Sequence, residues 1–237
     1  GGFSGLAQGF ANAFQLEWNM LEMKGVLRRA GTLLGVSADG IPSGEKDFAA
    51  MARQVDDLKM DGMVVIGDKS TYECAARLSA KIRVPVVGIP AALNCSLPGT
   101  DWVIGMDSAL NDLLQGIDRA ADAAHVLKKI FLIHIRGDYC SCLVRSAALA
   151  GGAEMVIIDE DQAGGENDFR DMVTGKMEDL QRIISLGKSF ATIIFFSRQP
   201  DRTDTALDFI KQRIASSGIG LEISSISLET SLGGITP

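Results

Sequence analysis

The chain has 237 residues, 46% of them hydrophobic and 22% charged, with a formal net charge of −7. A chain of this size buries roughly 70–75% of its unfolded surface, enough for a sizeable core in one or two lobes. The sequence shows no clustered basic face for nucleic acid, the apolar runs fall short of the ~20 residues of a membrane span, and no secretory pattern opens the sequence.

In chain order, the first signal is a helix over Lys46–Lys59, with Phe48, Met51, Val55 and Leu58 at helical spacing. MVVI (63–66) reads as a strand, followed by Gly67-Asp68-Lys69 and a helix over Ser70–Ile82 opened by a Ser70/Glu73 capping box. VPVVGI (84–89) is the next strand, with a loop of small polar residues through Asn94, Cys95 and Ser96 behind it. A helix over Ser108–Ala124 places Leu110, Leu113, Leu114 and Ile117 on one face. Then come the strands KIFLIHI (129–135) and EMVIID (154–159), a helix over Asp168–Ile184, the strand ATIIFF (191–196), a helix over Thr203–Ala215 and the strand LEISSI (221–226). Continuous apolar strands alternating with helices predict an α/β fold with parallel sheets covered on both faces. Punctuation lies at Ala38–Gly44 and at QAGGEN (162–167), the latter the better lobe boundary, with a crossover near Gly151-Gly152 a second option.

Strand-to-helix loops at the carboxyl ends of parallel strands are where ligands bind in such folds. Lys69 and Ser70 could hold an anion at a helix N-terminus, although a plain cap and a solvated lysine explain them as well. Asn94, Cys95 and Ser96 could line a cleft or simply satisfy their own loop. Cys140 and Cys142 form a C-x-C with too few companions for a metal site, and they read as buried thiols at a helix start. Four cysteines make no disulfide framework and predict reduced thiols in the cytoplasm. His134 sits in an apolar run and reads as a core histidine, and His125 lies near a helix end, where it complements the dipole. Arg136-Gly137-Asp138 spells an adhesion tripeptide by chance. Lys128-Lys129 and Arg28-Arg29 are isolated basic pairs.

The ordered set MVVIGDKSTY, GIPAALNCSLPGTDWVIGMDSALN, GIDRAADAA, IHIRGDYCSCL and ALAGGAEMVIIDE resembles 6-phosphofructokinase. The resemblance runs from GGFSGLAQG near Gly2 to Gly233-Gly234. Pro98 followed by Gly99-Thr100-Asp101 is most similar to the regulatory C-terminal half of the fused, eukaryotic-type enzyme. It implies a parallel-sheet three-layer sandwich of phosphofructokinase type in two lobes. These would be a nucleotide-lobe-like part over 1–152 and a sugar-phosphate-lobe-like part over 153–237, in a chain expected to be incomplete at both ends.

Departures from the family pattern bear on activity. Where active members carry GGDGS, this chain has Asp68 at the second glycine and Lys69 at the metal-serving aspartate. A lysine cannot ligate Mg²⁺, which takes oxygen donors. Where they carry TIDND, Asn94 stands at the general base, and an amide accepts no proton at neutral pH. Losing a general base typically costs ~10²–10⁴ in rate. The family's MGR is Arg136-Gly137-Asp138, and the His and Arg of its HxQRGG are Glu229 and Leu232. Lys128-Lys129 stand where a basic pair reaches phosphate across a subunit interface, and Glu160 stands where a carboxylate bonds sugar hydroxyls.

The resemblance thus implies a regulatory, non-catalytic half or subunit of a glycolytic 6-phosphofructokinase. Its expected partners are a catalytic subunit or half in a homo- or hetero-oligomer and an anionic sugar-phosphate effector, with no nucleic acid and no membrane. The effector candidates are Lys128, Lys129, Asn94, Ser96, Glu160, Lys69 and Ser70; Asn94, Ser96 and Lys69 are degenerate catalytic positions. No metal and no cofactor is expected in this chain. An active enzyme using ATP and Mg²⁺, and a scaffold with an empty cleft, remain as alternatives.

Overall fold

The computed structural model describes residues 42, 44–93, 97–137, 139–159 and 165–229. Asn94, Cys95, Ser96, Asp138, Glu160 and Leu232 lie outside the described residues, as do the N-terminal GGFSGLAQG and the closing Gly233-Gly234. The chain divides into two compact units, one holding the described residues up to Gly105 and one beginning at Met106.

The first unit opens with helix α1 (Glu45–Asp57), whose Phe48, Met51 and Val55 form the buried stripe that the sequence predicts. Strand β1 (Met63–Gly67) pairs in parallel with β2 (Val86–Pro90), and helix α2 (Lys69–Ser79) connects them. Phe48, Met51 and Val55 pack with Cys74 and Leu78 of α2 into one cluster. Helix α2 approaches the sheet closely at two glycines. A Cβ at Gly67 would lie 2.5 Å from the Thr71 hydroxyl, and one at Gly88 would lie 2.6 Å from the Tyr72 ring. Side chains alternate across a strand, so the other sheet face carries Val64, Ile66 and Val87, which are 63%, 55% and 58% exposed. Within this unit's described residues, helices lie on one face only.

The second unit is a four-stranded parallel sheet in the order β4-β5-β3-β6. Its strands are β3 (Ile130–Arg136), β4 (Met155–Asp159), β5 (Ala191–Ser197) and β6 (Ile223–Glu229). The connecting helices are α3 (Met106–Leu127), α4 (Ser141–Ala150), α5 (Gly165–Ser185) and α6 (Pro200–Ser216). Helices α5 and α6 cover the face bearing Ile130, Leu132, Ile157, Ile193 and Phe195. Helices α3 and α4 pack on the strands through Leu113, Ile117, Leu143 and Ala147, opposite Ile133, Ile135 and Phe196. The first six residues of β3 and of β5 are buried, as their unbroken apolar runs predict.

Two features bear on the organisation expected from the sequence. The boundary expected at 152/153 falls inside the second unit, between α4 and β4. β3 lies before that point and pairs with β5 and β6 after it, so a cut there would divide one sheet. Glu166 and Asn167 of the QAGGEN punctuation belong to the first turn of α5, where Glu166 pairs with Arg170 at 2.5 Å.

Candidate functional site

Ligand loops of a parallel sheet emerge at its carboxyl edge, so each unit presents its own edge for inspection. In the first unit the loops after β1 and β2 are tied by the Ala91 N–H donating to the Gly67 carbonyl at 2.9 Å. The residue at the mouth of α2 is Asp68, and its side chain caps the helix. Its Oδ1 accepts from the Ser70 hydroxyl at 2.6 Å, the Thr71 hydroxyl at 2.9 Å and the Thr71 N–H at 3.0 Å. This replaces the predicted Ser70/Glu73 capping box. Ser70 lies inside the first turn as a donor, and Glu73 meets Lys69 at 3.8 Å in an exposed pair. Partial burial pushes the Asp68 carboxyl up, but the Ser70 and Thr71 hydrogen bonds outweigh it and hold the group below the ordinary aspartate range. A helix N-terminus attracts anions through its free N–H groups and dipole. Here the chain's own carboxylate takes that place.

The described residues of this edge do not match the needs of Mg²⁺. One Asp68 oxygen is committed to three donors, and the neighbouring Lys69 brings a positive charge rather than an oxygen ligand. Among the described residues, no group of three or more His, Cys, Asp or Glu side chains could hold a metal ion.

In the second unit the carboxyl edge gathers Arg136, Tyr139, Asp159, Ser197, Arg198 and Glu229. Arg136 and Glu229 end neighbouring strands and their side chains meet at 3.4 Å. The Arg198 Nε and Nη2 each donate to the Tyr139 carbonyl at 3.1 Å. Ser197 donates to buried Asp159 at 3.2 Å and accepts from the Gln199 N–H at 3.1 Å. Gly137 has φ 132, and a Cβ there would fall 2.5 Å from the Tyr139 ring, so this turn requires glycine. Buried Cys140 caps α4 with its Sγ accepting from the Leu143 N–H, whereas Cys142 is exposed, against the expectation that both thiols are buried. His134 is a core histidine, its ring tilted against that of Phe195 at 5.4 Å between centroids; burial pushes its pKa down, and the Arg136 charge adds to that.

Lys128 and Lys129 stand at the other edge of this sheet, at the entrance to β3. Lys128 occupies an exposed left-handed turn with φ 52. The Lys129 ammonium is 2.6 Å from Glu222, whose carboxyl is held below its ordinary range by that contact. On the same edge lies Glu154, whose side chain is 8% exposed. It binds Lys188 and accepts from the Thr192 N–H and hydroxyl at 2.6 and 2.9 Å. Burial pushes Glu154 up, but these donors outweigh it and hold the group below the ordinary glutamate range. His125, in the last turn of α3, meets the Phe190 ring edge-on at 5.0 Å.

The described effector candidates divide between the two units. Lys69 and Ser70 belong to the first unit, and Lys128 and Lys129 lie away from the carboxyl edge of the second. Sequence reasoning missed the Asp68 cap, Arg198 and the Glu154–Lys188 pair. A signal existed for two of them. Asp-x-x-Thr directly after a strand is a capping pattern, and Arg198 directly follows the apolar run of β5.

Comparison with known proteins matches the geometry. The Phosphofructokinase family model covers residues 1–237. The ATP-dependent 6-phosphofructokinase of Blochmanniella floridana is 33% identical over 161 residues, 66% of this chain and 49% of that protein. That of Staphylococcus carnosus is 30% identical over 197 residues, 80% of this chain and 58% of that protein. The chain thus spans about half the length of the curated relatives it matches. The crystal structure of Pichia pastoris phosphofructokinase in the T-state shares the fold. It aligns with 99% of this chain and 26% of its own at a TM-score of 0.74 and 21% identity. With its parallel α/β units and a family match along its whole length, the chain belongs to the phosphofructokinase family.

Proposed function

We propose that this chain is a regulatory, non-catalytic half or subunit of a glycolytic 6-phosphofructokinase, working in the cytoplasm against a catalytic partner. The observation that carries the reading is the Asp68 carboxylate seated at the N-terminus of α2, held by Ser70 and Thr71. A phosphoryl-transfer site concentrates positive charge and donors on the transferred group. A carboxylate there repels phosphate, and its lowered pKa makes it a poor base. Lys69 beside it and Asn94 in the sequence add no metal ligand and no base. The test is fructose 1,6-bisphosphate formation from fructose 6-phosphate with ATP and Mg²⁺. The expected result is no turnover above background. Turnover near ~1 s⁻¹ or above, the ordinary enzyme range, overturns the reading in favour of an active 6-phosphofructokinase.

The effector of this regulatory half is an anionic sugar phosphate, with Lys128 and Lys129 as its contacts at a subunit interface. Two lysines act as point charges rather than bidentate clamps, so its affinity is modest and falls with salt. The Lys129–Glu222 contact favours a second reading, a scaffold that takes no anion there. Calorimetry of sugar-phosphate binding to wild type and to Lys128→Ala/Lys129→Ala separates the two. Loss of binding in the double variant supports the effector contact, and unchanged binding supports the scaffold.

A further inference from the structure

Helices α5 and α6 of the second unit leave a groove of about 170 Å³. Thr174, Met177, Glu178 and Gln181 line it from α5, and Arg213 and Ser216 from the end of α6. At about 30 Å³ per water, the space is that of roughly six waters, or of one molecule of about six heavy atoms. Its walls carry an unusual polar inventory. Arg213 Nη2 donates to the Thr174 hydroxyl at 2.9 Å, and Thr174 in turn donates to the Arg170 carbonyl at 2.8 Å. Arg213 Nε is buried and, among the described residues, is the side-chain polar atom left without a partner. A buried donor without an acceptor is costly, and a charged one more so. Glu178, on the facing helix, is exposed and is not drawn into an ion pair with Arg213, whose side-chain partner is Thr174. Gln181 is already engaged, donating to the Ser217 carbonyl at 2.5 Å.

One groove therefore holds a cation lacking a carboxylate and a carboxylate lacking a cation, with Met177 of α5 also in its lining. We propose that it binds a small zwitterion of the α-amino acid class, its carboxylate against Arg213 and its ammonium against Glu178. A carboxylate takes guanidinium N–H groups in a charge-assisted geometry. An ammonium matches a lone carboxylate, and a short apolar side chain lies against Met177. A plain anion would meet the Glu178 charge, and a plain cation would meet Arg213. Opposite charges at both ends thus select the zwitterion over either half. The groove is shallow and its rim exposed, so binding is weak and sensitive to salt.

The probe is L-alanine, titrated into the full chain and followed by amide chemical shifts of residues 174–181 and 213–217. Acetate and methylammonium are titrated in parallel. The expected result is saturation by alanine in the millimolar range, with each half-ligand binding at least tenfold more weakly. Glu178→Gln should weaken alanine at least fivefold while leaving acetate unchanged or tighter. Arg213→Lys should weaken both alanine and acetate, and an unchanged amide spectrum elsewhere shows that the variant is folded. Should Arg213→Lys fail to fold, the exposed Glu178→Gln variant decides alone. Absence of saturable shifts up to about 100 mM alanine overturns the proposal, as does equal binding of alanine and acetate or insensitivity to Glu178→Gln.

Discussion

Arg136 and Glu229, the last residues of β3 and β6, are register partners, and their side chains meet at 3.4 Å on the carboxyl edge of the second sheet. Both are more than half exposed, at 53% and 68%, so the pair adds less than about 1 kcal/mol to stability. Its larger effect is electrostatic, because it neutralises a cation where anions would approach. Glu229→Gln is expected to leave the urea midpoint nearly unchanged while raising affinity for inorganic phosphate. A unit charge at 4 Å in water is worth about 1 kcal/mol, or roughly fivefold. Calorimetry at low salt should show that gain, and 1 M salt should remove it. A variant that binds phosphate no better than wild type would mean that Arg136 is not part of an anion surface.

Removing the Asp68 cap should loosen the first unit. Asp68→Ala is expected to cost about 1 kcal/mol, whereas Asp68→Ser should recover most of it, since both Asp and Ser cap well. Urea unfolding followed by circular dichroism measures the difference. The pH dependence follows from the direction of the shift. The folded group sits below the ordinary aspartate range, so its contribution is full above about pH 4 and is lost as pH falls through the folded value. Asp68→Ala should therefore lose its penalty in acid. A penalty unchanged down to pH 2 would show that the charged cap is not its source.

Glu154 is the costlier position. Removing one partner of a buried pair costs about 3–5 kcal/mol, but Lys188 is 35% exposed, which reduces this to about 2–3 kcal/mol for Glu154→Ala. Lys188→Met should cost less, because Thr192 still donates twice to the carboxylate. Like Asp68, Glu154 has a depressed folded value, so its stabilisation is present above about pH 4.3 and disappears below it. Thermal melts at pH 7 and pH 3 should converge for wild type and Glu154→Ala. If Lys188→Met is the worse of the two, the hydrogen bonds from Thr192 are not what holds the carboxylate.

Lys128 follows α3 with φ 52, the left-handed position where helices favour glycine. The left-handed conformation costs a side-chain-bearing residue roughly 1–2 kcal/mol. Lys128→Gly is therefore expected to stabilise the chain by about 0.5–1 kcal/mol, measured as a higher urea midpoint. Should the same variant also abolish sugar-phosphate binding, the lysine would be held in a strained conformation at a binding position. Destabilisation by glycine would show that the Lys128 stem is packed.

The fold was legible where hydrophobic pattern decides it. IFLIHI and ATIIFF are unbroken apolar runs, and their residues are buried in the centre of the second sheet. Phe48, Met51 and Val55 recur at helical spacing and form the buried face of α1. Helix α4 was harder to read, because Ala147, Ala148 and Ala150 give little periodicity. The site was less legible, because it depends on pairing between distant segments. Arg136 meets Glu229 only through the register of β3 with β6, and Lys129 meets Glu222 through the same ladder. No local pattern encodes either contact. Asp68 was visible as a departure from GGDGS, but its role as a cap depends on where α2 begins, and helix boundaries are blurred by a residue or two.

The register of the central strand also dictates the order in which the second unit can assemble. β3 lies between β5 and β6, and its first residue, Ile130, is paired with Ala191 on one side and Ile223 on the other. The second of those partners follows it by 93 positions. At ~5–20 residues per second, a ribosome needs about 5–20 s to make that distance. Until Ala191 of β5 is made the apolar run IFLIHI has no neighbouring strand, and its other edge stays open until β6 follows, so it carries the aggregation hazard of an unpaired, uncharged β segment. The nascent chain should therefore depend on a chaperone until β6 emerges, and slowing translation downstream of Ile135 should lower its soluble yield.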